Sequence, residues 1–439
     1  MQYNSEKILG ALPAVKGGSM SIHKRLAAAI CGAAVTASVI AGCSGSSNSS
    51  ENEKKERSSV ISLASITDEL GAGWNCGNTL EANSGGYPNE TVWGNPAVSQ
   101  ELISAVADAG FDTVRIPVSY LGRIDDNNGY SVESQWLERV REVVDYCYNA
   151  GLNVIINVHG DGYNTVTGGW LLCNGSGQDK IKEKFQALWR QISEKFSDYN
   201  EHLIFESMNE VFDGEYHEPV REYYNNINEY NQIFVDTVRA SGGNNSHRWL
   251  MVPGWNTNID YTCGDYGFEF PSDKGNTAGE NRLILSVHYY DPWEYCGVES
   301  KKTFLWGEKG QEIIEVNKAS PKNKAAWGEE ADVEEQFEKL KKQYVDKGVP
   351  VVIGEFGCID KTLANSGIPE QIAENRTYYN GYVAGTAAVN GITPVYWDNG
   401  YNGQYGFGLF DRNTCRQTQP DIINAIVRAV SDKDPQAGK

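Results

Sequence analysis

From about Val60 onward, short runs of apolar, β-branched residues alternate with segments whose apolar positions recur at helical spacing. The runs predict strands at Ala72–Asn75, Thr113–Ile116, Val154–Val158, Leu203–Glu206, Leu250–Val252, Leu283–Val287, Val351–Ile353 and Pro394–Trp397. Between them, sets such as Trp136, Val140, Val143 and Val144, or Phe185, Leu188, Ile192 and Phe196, predict amphipathic helices. The strand runs are almost unbroken hydrophobic stretches, as expected when both faces of a parallel sheet are covered. Eight strands separated by helices fit a (β/α)8 barrel, and a doubly wound open sheet would read similarly.

The polar residues decide between the two. They gather where strands end: Asn75 and Asn78, Arg115, His159, Asn209 and Glu210, His288 and Tyr290, Glu355, then Trp397 and Asp398. An open sheet collects its site at one switch point, whereas a ring draws on nearly every strand. The spread favours the closed barrel. The connection from Asp291 to about Glu330 reads as the longest irregular piece, and its Trp293, Trp306 and Trp327 suggest one wall of a cleft.

Composition narrows the chemistry. The 439 residues are 40% hydrophobic, enough for a large core, and include 24 Tyr and 11 Trp, more flat surface than packing alone requires. A formal charge of −20 with no basic patch argues against nucleic acid. No GxGxxG or phosphate loop opens a helix, so a nucleotide cofactor is not expected. There is no HxH or CxxC pair, so no metal is expected either.

The first 60 residues read as an address. His23-Lys24-Arg25 followed by the apolar stretch Leu26–Ala41 resembles a signal peptide, with Met20 as a candidate start. Ile40-Ala41-Gly42-Cys43 resembles the lipobox of bacterial lipoproteins, which implies an extracellular protein tethered to the outer face of a membrane through lipid on Cys43. Residues 1–43 are thus assigned to the signal and 44–60 to a polar linker without a core of its own. A (β/α)8 domain is placed at residues 61–432 and a tail at 433–439. Beyond Cys43 seven cysteines remain, Cys76, Cys147, Cys173, Cys263, Cys296, Cys358 and Cys415, an odd number that makes no disulfide framework.

Two strands each deliver a glutamate at their C-terminal end, Glu210 after Leu203–Glu206 and Glu355 after Val351–Ile353. Paired carboxylates from separate strands are what cleavage of a glycosidic bond requires. Arg115-Ile116-Pro117-Val118, His159, Met208-Asn209-Glu210, Val287-His288-Tyr289-Tyr290, Gly354-Glu355-Phe356-Gly357 and Val395-Tyr396-Trp397-Asp398-Asn399 arrive in the order and spacing of glycoside hydrolase family 5, the large cellulase family, which the chain resembles over about residues 66–428. Gly73-Trp74-Asn75-Cys76-Gly77-Asn78-Thr79-Leu80-Glu81 and Glu90-Thr91-Val92-Trp93-Gly94-Asn95-Pro96 further resemble its subfamily 4, mostly endo-β-1,4-glucanases.

That resemblance implies a retaining mechanism without cofactor or metal, in a monomer acting on β-glucan polysaccharide. Glu210 would be the acid/base, needing a raised pKa, and Glu355 the nucleophile, starting ionised. Arg115 and Tyr290 would bond to Glu355, Asn209 to the sugar 2-hydroxyl, and His159 to sugar hydroxyls. His288 would lie near the acid/base and Trp397 beneath the sugar; Asn78 and Trp93 would add substrate contacts. One departure stands out: many relatives carry two adjacent histidines after the third strand, and here Gly160-Asp161-Gly162-Tyr163 follows His159. Trp170 is a candidate sugar platform or a packing residue. Xyloglucanase or β-mannanase activity is the alternative within the family, and a tethered sugar-binding protein without catalysis the alternative outside it.

Overall fold

The computed structural model describes residues 60–365 and 367–437. The signal, lipobox and most of the linker lie outside them. Eight parallel strands close into a (β/α)8 barrel. They are β1 (Gly73–Cys76), β2 (Thr113–Ile116), β3 (Asn153–Asn157), β4 (Leu203–Glu206), β5 (Leu250–Pro253), β6 (Leu283–Tyr289), β7 (Val351–Phe356) and β8 (Ile392–Asp398). Each pairs with its neighbours in sequence, and β1 closes the ring on β8 with Asn75 level with Trp397.

All eight sequence-derived strands exist, Thr113–Ile116 and Leu203–Glu206 with the expected ends and the others displaced by one to three residues at an end. β6 and β7 run on past their expected ends, through His288 and Glu355. Polar residues there signal a loop to a pattern reader. In the barrel they stay paired, and register shifts between Val287 and His288 on β6 and after Ile353 on β7 re-aim the side chains that follow.

Alternation along the strands explains how the site is built. Side chains two apart share a face, so Ile155 and Asn157, Ile204 and Glu206, Ile284 and Ser286, and Val395 and Trp397 fall on the same side of their strands. The first members of these pairs join one buried apolar cluster with Trp249, Met251 and Val352. The second members, one level nearer the C-terminal ends of the strands, are polar or aromatic. The ring is therefore apolar low down and polar at its mouth.

The floor is sealed from an unexpected quarter. Ile61, Ile66 and Leu70, from the segment before β1, pack into that apolar cluster. The Ile61 N–H donates to Glu201 at 2.6 Å, and its carbonyl accepts from the Trp249 indole at 2.9 Å and from the Arg282 guanidinium. Trp249 and Arg282 immediately precede β5 and β6, so the plug sits at the N-terminal end of the barrel. Ile61→Ala should cost about 2–4 kcal/mol through the cavity it leaves. Urea unfolding with an unchanged m-value is the check.

Outside the ring, the helix Ser134–Ala150 buries Trp136, Leu137, Val140, Val143, Val144 and Cys147 on one stripe and stops at Gly151, whose φ of 78° suits glycine. The connection after β6 corrects the sequence reading. It contains the helices Trp293–Cys296 and Gly307–Asn317, and Trp306 is fully buried against Tyr378, Tyr379 and Tyr382. Glycines at 307 and 310 had masked the short stripe of Ile313 and Ile314. The seven described cysteines are free thiols.

Candidate active site

Arg115 on β2 is the hub of the barrel mouth. It is fully buried and makes four hydrogen bonds: Nε to Glu206 at 2.7 Å, Nη1 to Asn75 at 3.0 Å and to Glu355 at 2.9 Å, and Nη2 to Asn209 at 2.8 Å. Burial works against its charge, but Glu206 and Glu355 more than restore it, and the guanidinium stays protonated. Because Arg115 carries only donors, the Asn209 oxygen must face it. The Asn209 amide nitrogen then points outward, to the Tyr163 hydroxyl at 2.9 Å and His159 Nε2 at 3.2 Å.

Glu206 was not singled out from sequence. Its carboxylate accepts from Arg115, from Asn157 Nδ2 at 3.0 Å and from Ser286 Oγ at 2.8 Å, with no exposed surface. A charged residue closing an apolar strand run requires such a partner set, and that requirement was the available signal. Glu206 fixes Arg115, and Arg115 fixes Glu355.

Glu355 is 6% exposed, and besides Arg115 it accepts from the Tyr290 hydroxyl at 3.1 Å. The Tyr290 phenol is pushed far up by burial and by the charges of Glu355 and Glu210, so it remains a donor. Glu210 has a more open side chain, 26% exposed. His288 Nδ1 meets its Oε1 at 2.7 Å, and the Tyr163 hydroxyl donates to its Oε2 at 3.0 Å. One atom each from Glu210, His288 and Glu355 lie within 4.8 Å of one another. This is also the described set best able to ligate a metal, but the Arg115 cation beside Glu355 opposes a second positive charge there.

The two carboxyls depart from the expectation drawn from sequence. Burial raises Glu210, yet the hydrogen bond and charge of His288, the Tyr163 hydroxyl and Arg115 outweigh it and hold the group below its ordinary value. Burial raises Glu355, reinforced by the charge of Glu210 and only partly offset by His288 and Arg115. The two differ in that the hydrogen bonds from His288 and Tyr163 fall on Glu210. The Nε2 of His288 is buried beside Gly354 with no partner among the described residues.

His159 lies with Nε2 3.9 Å from Glu355, and burial, Arg115 and His288 hold it neutral. Its ring stacks parallel to Trp397 with centroids 5.9 Å apart. Trp397 is half-buried, and Gly77 lies so close that a Cβ there would sit 2.9 Å from the indole. Asp398 anchors this strand end through Trp74, Leu409 and Arg412.

The remaining candidates lie around the rim, without a bond to either glutamate. Asn78 has a left-handed φ of 56°, and its N–H and that of Thr79 are taken by Glu81, whose carboxyl burial raises to about 7. The Trp93 indole donates to the Asn83 carbonyl at 2.9 Å, tying down a small hairpin. Trp170 donates to Asp161 at 2.7 Å, packs against the core and lies under Lys184, contacts suited to holding the loop after β3.

Residues 77–403 match the family model "Cellulase (glycosyl hydrolase family 5)". The chain is 49% identical over 374 residues to endoglucanase A of Paenibacillus barcinonensis, covering 84% of this chain and 90% of that protein. It is 34% identical to a xyloglucan-specific endo-beta-1,4-glucanase of Bacteroides ovatus, covering 82% and 68%. Among solved structures it resembles a family 5 xyloglucanase from Paenibacillus pabuli, with TM-score 0.79, 52% identity and coverage of 83% and 99%. A GH5-4 broad specificity endoglucanase from Bacteroides salanitronis follows, with TM-score 0.75, 38% identity and coverage of 84% and 96%. Barrel, paired carboxylates and relatives agree: the chain belongs to glycoside hydrolase family 5, among its endoglucanases.

Proposed function

We propose that this glycoside hydrolase cleaves β-1,4-glucans by double displacement with retention of configuration. The observation that carries the reading is the approach of Glu210 and Glu355, with carboxylate atoms within 4.8 Å of each other. Retaining enzymes hold the two carboxyls about 5–5.5 Å apart, whereas inverting ones leave about 6.5–9.5 Å for a water.

In this reading Glu355 attacks the anomeric carbon and the bond to the leaving oxygen breaks as Glu210 protonates it. Water, deprotonated by Glu210, then attacks the glycosyl-enzyme and releases Glu355. Glu210 must begin protonated to give its proton to the leaving oxygen. Substrate that excludes water favours the uncharged carboxyl over a buried carboxylate. Asn209 donates to the sugar 2-hydroxyl and Trp397 carries the ring, while His159, neutral, stays near the hydroxyls.

Proton NMR of a cello-oligosaccharide digest tests the mechanism. The β-anomer of the new reducing end should appear first and mutarotate later. If the α-anomer came first, the mechanism would be inverting and the assignment wrong.

Xyloglucan is the second reading, favoured by the 52% identity to the Paenibacillus pabuli xyloglucanase. In steady-state assays with one enzyme preparation, a higher kcat/KM on tamarind-type xyloglucan than on carboxymethylcellulose and mixed-linkage glucan would establish it over the linear glucans.

A further inference from the structure

Tyr163 occupies the loop where the sequence departs from the histidine pair of many relatives. This loop is built to hold one position. Asp161, fully buried, accepts from Ser119 at 3.0 Å, from the Tyr120 N–H at 2.9 Å and from Trp170 at 2.7 Å. The His159 N–H bonds to the Val118 carbonyl at 2.8 Å, and a Cβ on Gly162 would come within 2.7 Å of Val211. The hydroxyl at the end of this rigid turn accepts from Asn209 at 2.9 Å and donates to Glu210 at 3.0 Å.

We propose that Tyr163 is a positioning residue for Glu210, one that favours its ionised form and so makes it a readier proton donor to the leaving oxygen. The inference rests on the acid/base reading of Glu210. A hydroxyl that donates to a carboxylate stabilises it more than it stabilises the protonated acid. The phenol itself is pushed far up by burial and by Glu210 and Glu355, so it donates at every working pH. Its lone pair is occupied by Asn209, whose oxygen is occupied by Arg115, which fixes the direction of the O–H.

The groups facing Glu210 come from several elements: Arg115 on β2, His288 on β6, Tyr290 after it, Glu355 on β7 and Tyr216 on the loop that Glu210 begins. Of these, His288 also bonds to Glu210, but from the opposite oxygen. Tyr163 is distinct in linking Glu210 to Asn209. Both Asn209 N–H groups are engaged, so a sugar 2-hydroxyl that takes one of them enters in competition with His159 or Tyr163.

The test is Tyr163→Phe, which keeps the ring and removes the hydroxyl, with kcat/KM followed against pH on two aryl β-cellobiosides. One has a poor leaving group, phenol, and one a good leaving group, 2,4-dinitrophenol, that departs without protonation. The alkaline limb for the phenyl substrate should move up by about one pH unit. At the wild-type optimum that substrate should lose about 3- to 10-fold, and the dinitrophenyl substrate less than about twofold.

An alkaline limb that stays in place, or equal losses on both substrates, would overturn the proposal. Thermal melting across the same pH range separates a folding defect from a pH effect, because unfolding at high pH would draw the alkaline limb down, not up. Glu210→Gln on the same pair tests the underlying reading separately: if it spares the phenyl substrate, the acid/base assignment itself fails.

Discussion

Glu355→Gln should lower kcat on soluble β-glucan by about 10⁴- to 10⁶-fold, the order seen when a nucleophile is removed from an enzyme that works by covalent catalysis. The amide keeps the size and accepts from Arg115, but its nitrogen turns a donor toward Arg115 or Tyr290, both of which are donors at 2.9 and 3.1 Å. The carbonyl of an amide also cannot form the glycosyl ester. Steady-state rates on carboxymethylcellulose, with circular dichroism to verify the fold, measure it. A residual rate above about 1% of wild type would show that another group attacks.

Arg115→Met should be the most damaging change for the folded state as well as for the reaction. It strands Glu206, with no exposed surface, and Glu355 without their common cation, and breaking a buried ion pair from one side costs about 3–5 kcal/mol. Urea unfolding should register that loss. The sign of the accompanying pH effect follows from the same contact. Arg115 lowers the Glu355 pKa, so its removal raises a value that burial has already raised, and the acid limb of kcat/KM should move to higher pH. Adding Glu206→Gln removes one of the two stranded charges, so the double variant should recover part of the stability but not the activity. Recovery of neither would place the loss in packing rather than charge.

How far these features could be read without coordinates depends on the kind of pattern each leaves. Strand β4 was legible because Leu203–Glu206 is a compact apolar run with chemistry at its end. The glutamate pair was legible because its residues stand beside recognisable neighbours, Asn209 and Gly354. Glu206 was in plain view as the last residue of that strand but was passed over, since alternation says which face it shares with Ile204 and not which cation lies opposite. Tyr163 was noticed only as a departure, because its partners, Glu210 and Asn209, are more than 40 residues away. The inverted charge preference of the two carboxyls was not legible at all. It depends on the burial of both groups and on the hydrogen bonds that His288 and Tyr163 bring to Glu210, which are set by three-dimensional packing. Trp306 shows the opposite error: a tryptophan in a polar stretch suggested a ligand surface, and the long helix Pro369–Val389 covers it instead.

The insertion of Ile61 under the barrel fixes the point at which the polypeptide enters the domain. Whatever is attached upstream of Val60, whether a lipid, a solid support or a fused protein, is joined at the pole remote from Glu210 and Glu355. The carboxylates therefore open at the end of the barrel opposite the one at which Ile61 enters it.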